Sequence, residues 1–98
     1  MSAPEPSPAP QGPAPGAPLE LLVYTASGCS LCDDAHAALE RLAPELNLDL
    51  RWESIERDPD LEARWRTEIP VGFLNGRKVF KYIVDEPFLR RKVARLRA

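Results

Sequence analysis

The sequence predicts an α/β domain with one four-stranded mixed sheet, in the order 2-1-3-4, flanked by three helices. A short apolar run, an amphipathic helical pattern and an alternating apolar–polar run follow one another, with short connections, between residues 19 and 55. Such a unit places its two strands parallel in one sheet, with a right-handed crossover. Asn75-Gly76 separates two later apolar runs, and this pair is a strong signal for a two-residue β-hairpin. The second half of the chain therefore adds antiparallel pairing to a parallel unit.

The first strand and the first helix are the most regular part of the pattern. Residues 19–24 are mostly apolar, which is typical of a buried central strand. A helical pattern covers 30–42, and Pro44 is expected to end it because proline lacks the N–H that a helix interior needs. The apolar face of this helix comprises Leu31, Ala35, Leu39 and Leu42.

The remaining elements follow from alternation and from helix start signals. Asp58 and Asp85 each precede a proline and are expected to cap helices. Lys78 and Lys81 suit an edge strand. The predicted elements are a strand at 48–55, a helix at 59–66, strands at 69–74 and 77–83, and a last helix whose apolar face comprises Phe88 or Leu89, Val93 and Leu96.

Composition divides the 98 residues into a tail and one small domain. Residues 1–18 hold seven of the eleven prolines, interleaved with Ala, Gly and Ser, so we expect a disordered tail there and a single domain at 19–98. The start lacks the basic residues and apolar segment of a signal peptide, and no run approaches the ~20 apolar residues of a membrane span. A net charge of −2 gives no bulk attraction to nucleic acid. We therefore expect a cytoplasmic monomer that binds neither membrane nor nucleic acid.

The only two cysteines, Cys29 and Cys32, lie where the first strand turns into the first helix. A helix N-terminus stabilises a thiolate through its unpaired N–H groups and its dipole. Cys29, at the start of the turn, is the predicted attacking sulfur, and Cys32, one turn further in, is the predicted resolving sulfur. Gly28 allows the sharp turn, and Ser27 or Ser30 is expected to cap the helix.

The order of elements, with Cys-Ser-Leu-Cys at 29–32 after the first strand and Ile69-Pro70 before the third, resembles the thioredoxin fold and, within it, the glutaredoxin-like family. The resemblance implies that Pro70 is cis and that the backbone of Ile69 meets a bound peptide or glutathione beside the sulfurs. It also implies that Asp85 contributes to a glutathione site. Arg64 and Arg66, just before the proline loop, are expected to receive a carboxylate of glutathione or of a protein partner, unless they only form a solvated helix face.

The chain departs from that family pattern in two places. Residues 82–85 keep an Asp but lack the glycines that glutathione-binding members carry before the last helix. Asp33 and Asp34 follow the second cysteine, and like charges raise the pKa of a nearby thiol. We therefore expect Cys29 to be less acidic than the nucleophile of a typical glutaredoxin.

The leading hypothesis is a thiol–disulfide oxidoreductase that reduces protein or glutathione mixed disulfides by a dithiol mechanism. It needs no metal or organic cofactor, and its electrons come from glutathione or from a thioredoxin-reductase-type enzyme. One alternative is a metal-binding module in which Cys29, Cys32 and His36 are ligands, although zinc prefers four. His36 is otherwise a surface helix residue or a group that influences the proton of Cys32. Another alternative is a non-catalytic interaction domain on the same fold.

Overall fold

The computed structural model describes residues 17–98. The predicted disordered tail, 1–18, lies outside these residues except for Ala17 and Pro18. Within the described part, one four-stranded sheet has the order β2-β1-β3-β4 and carries three α-helices. β1 pairs parallel with β2 and antiparallel with β3, which pairs antiparallel with β4. The predicted fold class is therefore confirmed. The elements are β1 (Leu19–Thr25), α1 (Ser30–Leu46), β2 (Leu48–Ser54), a 3-10 turn (Ile55–Arg57), α2 (Pro59–Trp65), β3 (Val71–Leu74), β4 (Arg77–Lys81) and α3 (Glu86–Arg97).

The predicted end of the first helix before Pro44 is wrong, because α1 continues to Leu46. Proline has a helical φ, so within a helix it removes one hydrogen bond and crowds the preceding turn without forcing an end. Ala43 and Leu46 pack against the core and favour continuation. The helix ends where Asn47 adopts a left-handed conformation, with φ 55° and its N–H donated to the carbonyl of Ala43.

Four strand boundaries also differ from the prediction. β1 ends one residue later than predicted, at Thr25. β2 ends one residue early because the buried Ile55 begins a 3-10 turn. β3 begins at Val71 rather than at 69, since the two preceding residues form a loop in which proline cannot donate to the sheet. β4 ends at Lys81 because Tyr82 has a φ of 71° and turns the chain away.

The predictions of the hairpin turn and of the two aspartate caps are confirmed. Asn75 and Gly76 have φ values of 49° and 87°, the pair of positive angles that a type I′ hairpin turn requires. Asp58 accepts a hydrogen bond from the N–H of Asp60 at 2.8 Å and caps α2. Asp85 accepts one from the N–H of Phe88 at 3.1 Å and caps α3.

The main core lies on the side of the sheet that α1 and α3 cover. It joins β1 to both helices and to the hairpin, and its members are Leu19, Leu21, Val23, Leu39, Leu42, Leu48, Leu74, Val79, Phe80, Leu89 and Val93. Two residues expected on apolar helix faces are exposed instead, Leu31 at 40% and Leu96 at 42%. Leu31 lies beside the buried stripe of α1, which passes through Cys32 and Ala35 instead.

An aromatic cluster packs on the opposite face of the sheet. Trp65 of α2 stacks on Tyr24 of β1, with ring centroids 5.9 Å apart, and meets Phe73 of β3 edge-on at 5.2 Å. β1 is therefore covered on both faces, which fixes the position of the loop that follows it. Among residues 17–98, no helix has the length and apolarity needed to cross a membrane.

Candidate active site

The register of the sheet gathers four loops at one end, which we call the dithiol end. Thr25 pairs with Ser54, so the loop after β1 lies beside the turn after β2. Tyr24 pairs with Val71, and Val71 with Lys81. The segment before β3 and the segment after β4 therefore reach the same end. The dithiol end consists of residues 26–29, 55–57, 69–70 and 82–83.

Cys29 and Cys32 stand at the start of α1, and their sulfurs are joined in a disulfide with Cα atoms 5.2 Å apart. Cys29 is half-buried, whereas Cys32 is 6% exposed. Ser27 and Ser30 do not cap the helix as predicted. Cys29 is itself the N-cap residue, and its Sγ accepts a hydrogen bond from the N–H of Cys32 at 3.1 Å. One of the unpaired amides at the helix start therefore points at the more exposed sulfur.

The loop that carries Cys29 is tied to the turn after β2. The hydroxyl of Ser27 donates to Glu56 Oε2 at 2.8 Å, and the amide of Ser27 donates to Glu56 Oε1 at 3.2 Å. The hydroxyl of Ser54 reaches the same carboxylate at 3.3 Å. The Ser27 hydroxyl, the Ser27 amide and the Ser54 hydroxyl together lower the pKa of Glu56 below its usual 4.5. Gly28, with φ 70°, completes the turn.

Glu56 is a site residue that the sequence did not reveal. Its partner Ser27 is 29 residues away, so no local spacing connects the two. The one available signal was the predicted topology, because parallel neighbouring strands that end together bring their following loops into contact.

A cleft of about 250 Å³ opens beside the buried sulfur of Cys32. His36 lies on its wall, and its ring stacks on Trp52 of β2 with centroids 4.3 Å apart and planes 19° apart. His36 Nδ1 is 3.9 Å from Glu40 Oε2 on the same helix. The residues that line the cleft are Thr25, Ala26, Cys32, Asp33, His36 and Trp52. Within residues 17–98, no group of three or more His, Cys, Asp and Glu side chains is arranged to hold a metal ion.

The Ile69–Pro70 peptide bond is cis, and Pro70 is buried. The carbonyl of Pro70 accepts a hydrogen bond from the amide of Tyr82 at 2.7 Å, and the Tyr82 hydroxyl donates to the carbonyl of Thr67 at 2.8 Å. Tyr82 thus joins the end of β4 to the loop before β3. Its own ring is 41% exposed, and the adjacent Ile83 is 69% exposed.

The remaining predicted site residues have structural partners. Arg66, just after α2, has its guanidinium 3.6 Å from the carboxylate of Glu62. Asp85 caps α3, two residues after the dithiol end. The structure therefore brings Ile69 and Pro70 to the dithiol end by register, while the roles of Arg66 and Asp85 in binding glutathione stay predictions.

The family model for the glutaredoxin-like domain (DUF836) matches residues 20–94. The chain belongs to this glutaredoxin-like family. It is 33% identical over 82 residues to "Uncharacterized protein Rv0508" of Mycobacterium tuberculosis (strain ATCC 25618 / H37Rv), a match that covers 79% of this chain and 82% of the relative.

Solved structures support the same fold. The NMR structure of protein Ne2328 from Nitrosomonas europaea aligns with a TM-score of 0.71 at 23% identity, over 82% of this chain and 96% of that one. Fasciola hepatica thioredoxin aligns with a TM-score of 0.55 at 21% identity, over 81% of each chain. The glutaredoxin-like domain therefore has a thioredoxin fold. A Cys-x-x-Cys pair at the helix start of this fold supports a redox role.

Proposed function

We propose that this glutaredoxin-like protein is a thiol–disulfide oxidoreductase that reduces protein or glutathione mixed disulfides through both of its cysteines. The observation that carries the proposal is the unequal exposure of the two sulfur-bearing residues at one helix start. Cys29 is half-buried and is the more exposed of the two, whereas Cys32 is 6% exposed and is within disulfide distance of Cys29.

The environment of Cys29 suits a nucleophile. Its sulfur receives the amide of Cys32 at 3.1 Å and stands at the N-terminus of a 17-residue helix. Amides and a helix dipole that point at a sulfur favour its thiolate over its thiol. The hydrogen bonds from Ser27 to Glu56 hold the preceding loop, so the sulfur has a defined position when a substrate approaches.

The reaction transfers two electrons from the protein to the substrate. The thiolate of Cys29 attacks one sulfur of the substrate disulfide, the substrate S–S bond breaks, and the other sulfur leaves as a thiolate that takes up a proton. Cys32 then loses its proton and attacks Cys29, which releases the second substrate thiol and leaves the Cys29–Cys32 disulfide. Two glutathione molecules or a thioredoxin-reductase-type enzyme return the dithiol form.

Reduction of insulin and of a small dialkyl disulfide tests the proposal. The assay compares the wild-type protein with Cys29→Ser and Cys32→Ser, each with glutathione and with thioredoxin reductase as the electron donor. We expect Cys29→Ser to reduce turnover to the background rate. Cys32→Ser should accumulate a mixed disulfide, visible as an increase in mass equal to the bound substrate thiol.

The same variants separate the alternatives. Wild-type turnover in Cys29→Ser contradicts the proposal. Stoichiometric metal in the purified protein, lost in both variants, indicates a metal-binding module instead. The donor that sustains turnover shows which class of reductant can return the dithiol form.

A further inference from the structure

We propose that His36 is the base that accepts the proton of Cys32 when this cysteine resolves the mixed disulfide. This inference rests on the proposed function, because it concerns the second step of that reaction. It identifies a catalytic residue four positions beyond Cys32, outside the Cys-x-x-Cys turn and outside the loop of the cis-proline.

The second step has a requirement that the first does not. Cys29 faces solvent and an amide, whereas Cys32 is 6% exposed and lies on the buried stripe of α1. A thiol in apolar surroundings gives up its proton less readily than a solvated one. Yet only a thiolate attacks a disulfide at a useful rate. A group that takes the proton near neutral pH therefore accelerates resolution.

The interior next to Cys32 offers no such group. Val23, in the middle of β1, and Ala35 and Leu39, the next residues of the buried stripe, are apolar and at most 2% exposed. No polar or charged side chain is buried among residues 17–98. The proton must therefore leave toward solvent, and the cleft of about 250 Å³ that Cys32 lines is the route the structure provides.

Two ionisable side chains line that cleft with Cys32, and they are His36 and Asp33. Residues four apart on a helix lie on the same face, so His36 is on the side of α1 that Cys32 occupies. The cleft has room for ordered water molecules, each of which needs only ~30 Å³, so one water can relay the proton. Imidazole, with an ordinary pKa of about 6.5, is a stronger base than a carboxylate, whose ordinary pKa is about 4.

Trp52 holds the imidazole of His36 in place on the wall of the cleft. The two rings stack with centroids 4.3 Å apart. The charged groups around the imidazole are two carboxylates. On α1 these are Asp33 on the cleft wall and Glu40, 3.9 Å from Nδ1. β2 contributes Trp52, the end of β1 contributes Thr25, and the loop after β1 contributes Ala26, none of which carries a charge.

The resulting step is balanced. Cys32 gives its proton to His36 through water, and its thiolate attacks the sulfur of Cys29. The bond between Cys29 and the substrate breaks, and the departing substrate thiolate takes a proton from solvent or from the imidazolium. No oxidant or reductant enters, since the electrons come from the two cysteines.

The experiment uses the reduced full-length protein and Ellman's reagent in a stopped-flow instrument. Attack by Cys29 releases a first equivalent of thionitrobenzoate, and resolution by Cys32 releases a second, so the two steps appear as separate phases at high reagent concentration. In His36→Gln and His36→Phe we expect the first phase to be unchanged and the second to be about tenfold slower at pH 7. This is below the ~10²–10⁴-fold range of a directly bonded base because water relays the proton.

The two variants differ in what they preserve. His36→Phe keeps an aromatic ring on Trp52, so a second phase at the wild-type rate in this variant shows that His36 only packs, and overturns the proposal. Asp33→Asn tests whether the other ionisable group of the cleft is the base. A slower second phase in Asp33→Asn, together with a second phase at the wild-type rate in His36→Gln, also overturns the proposal. The expected pH profile of the wild-type second phase rises through the range in which an imidazole titrates, and this rise is absent from both His36 variants.

A spectroscopic readout is independent of the rates. In a Trp65→Phe background, Trp52 is the only tryptophan, and protonation of the stacked imidazole changes its fluorescence. We expect a pH titration of this signal whose midpoint differs between the dithiol and disulfide forms, and which is lost in His36→Phe. An identical midpoint in the two forms contradicts a coupling between His36 and Cys32. Failure of the proposed function is distinct, because it appears as background turnover of the wild-type protein in the insulin assay, which the Ellman phases do not measure.

Discussion

The dithiol end of the sheet and the opposite end are held by different kinds of contact. At the opposite end, the guanidinium of Arg97 donates to the carbonyls of Leu46 at 2.6 Å, Asn47 at 2.9 Å and Ala17 at 3.1 Å. At the dithiol end, the acceptor is a carboxylate instead, because the hydroxyl and amide of Ser27 both donate to Glu56.

Because of this difference, the two ends contribute to different properties, the opposite end to the stability of the fold and the dithiol end to the reactivity of Cys29. Arg97 closes the end of α1 and joins it to α3, so it contributes to the fold without approaching the sulfurs. The contacts of the dithiol end fix the path of a short loop and contribute little to the core. We therefore expect changes at the opposite end to alter the free energy of unfolding, and changes at the dithiol end to alter the behaviour of Cys29.

The largest expected effect is that of Leu74→Ala. Leu74 is 2% exposed at the end of β3, away from the cysteines, and its removal leaves a cavity in the main core. We expect a loss of about 2–5 kcal/mol in the free energy of unfolding, measured by urea titration. Leu74→Ile is the matched control and should cost less than about 1.5 kcal/mol. A change in the alkylation rate of Cys29 in folded Leu74→Ala contradicts the view that the opposite end affects stability without affecting the cysteines.

The second effect concerns Arg97. Arg97→Ala removes three hydrogen bonds to carbonyls that lie around the end of α1, and hydrogen bonds from a charged group stabilise by about 1.5–3 kcal/mol. We expect a net loss of about 1–2 kcal/mol, because the freed carbonyls regain water. Arg97→Lys keeps the charge but loses the planar fork, and should lie between the wild type and Arg97→Ala. Equal free energies of unfolding for all three proteins show that the hydrogen bonds of Arg97 do not stabilise the end opposite the cysteines.

The smallest effect on stability is expected for Ser27→Ala, with Ser30→Ala as the control at the same helix start. The folded protein keeps Glu56 ionised to a lower pH than the unfolded chain, because Ser27 lowers the pKa of this carboxyl. This contribution is therefore present above the usual pKa of 4.5 and is lost as the pH falls through the lower folded value. We expect the melting temperature of Ser27→Ala to lie slightly below that of the wild type at pH 7 and to coincide with it in acid.

The same variant should increase amide hydrogen exchange across residues 26–28, because the loop loses the hydroxyl bond to Glu56 and keeps only the bond from the amide of residue 27. Ser30→Ala should behave as the wild type in both measurements. A gap in melting temperature that persists unchanged into acid shows that Ser27 stabilises through packing rather than through the carboxylate.

Local chemistry made most of the framework predictable from the sequence. The Asn75-Gly76 turn and the two aspartate caps depend on residues within a few positions of one another, and each has the predicted conformation. The strand-to-helix placement of Cys29 and Cys32 followed from hydrophobic periodicity alone. Pro44 misled the prediction, because the packing of the last turn of α1 outweighs one missing hydrogen bond.

The sequence could not predict contacts that form only when the sheet is assembled. Ser27 meets Glu56 across two parallel strands, and His36 meets Trp52 across a helix and a strand. Neither pair has a spacing that a periodic pattern detects. Ser27 satisfied the rule for a helix cap, yet its hydroxyl turned to Glu56 and the sulfur of Cys29 accepted the amide instead. Local rules predicted which residues were available, and tertiary contacts decided which were used.

The hydrogen bond from the Cys32 amide to the sulfur of Cys29 makes this amide a reporter of the chemical state of Cys29. A hydrogen bond to an anionic acceptor is stronger and shorter than one to a neutral acceptor. The ¹H chemical shift of the Cys32 amide should therefore change when Cys29 ionises, and again when it forms a bond to another sulfur. One backbone resonance can thus follow the chemical state of Cys29 throughout a reaction, with no label attached to the protein beyond ¹⁵N.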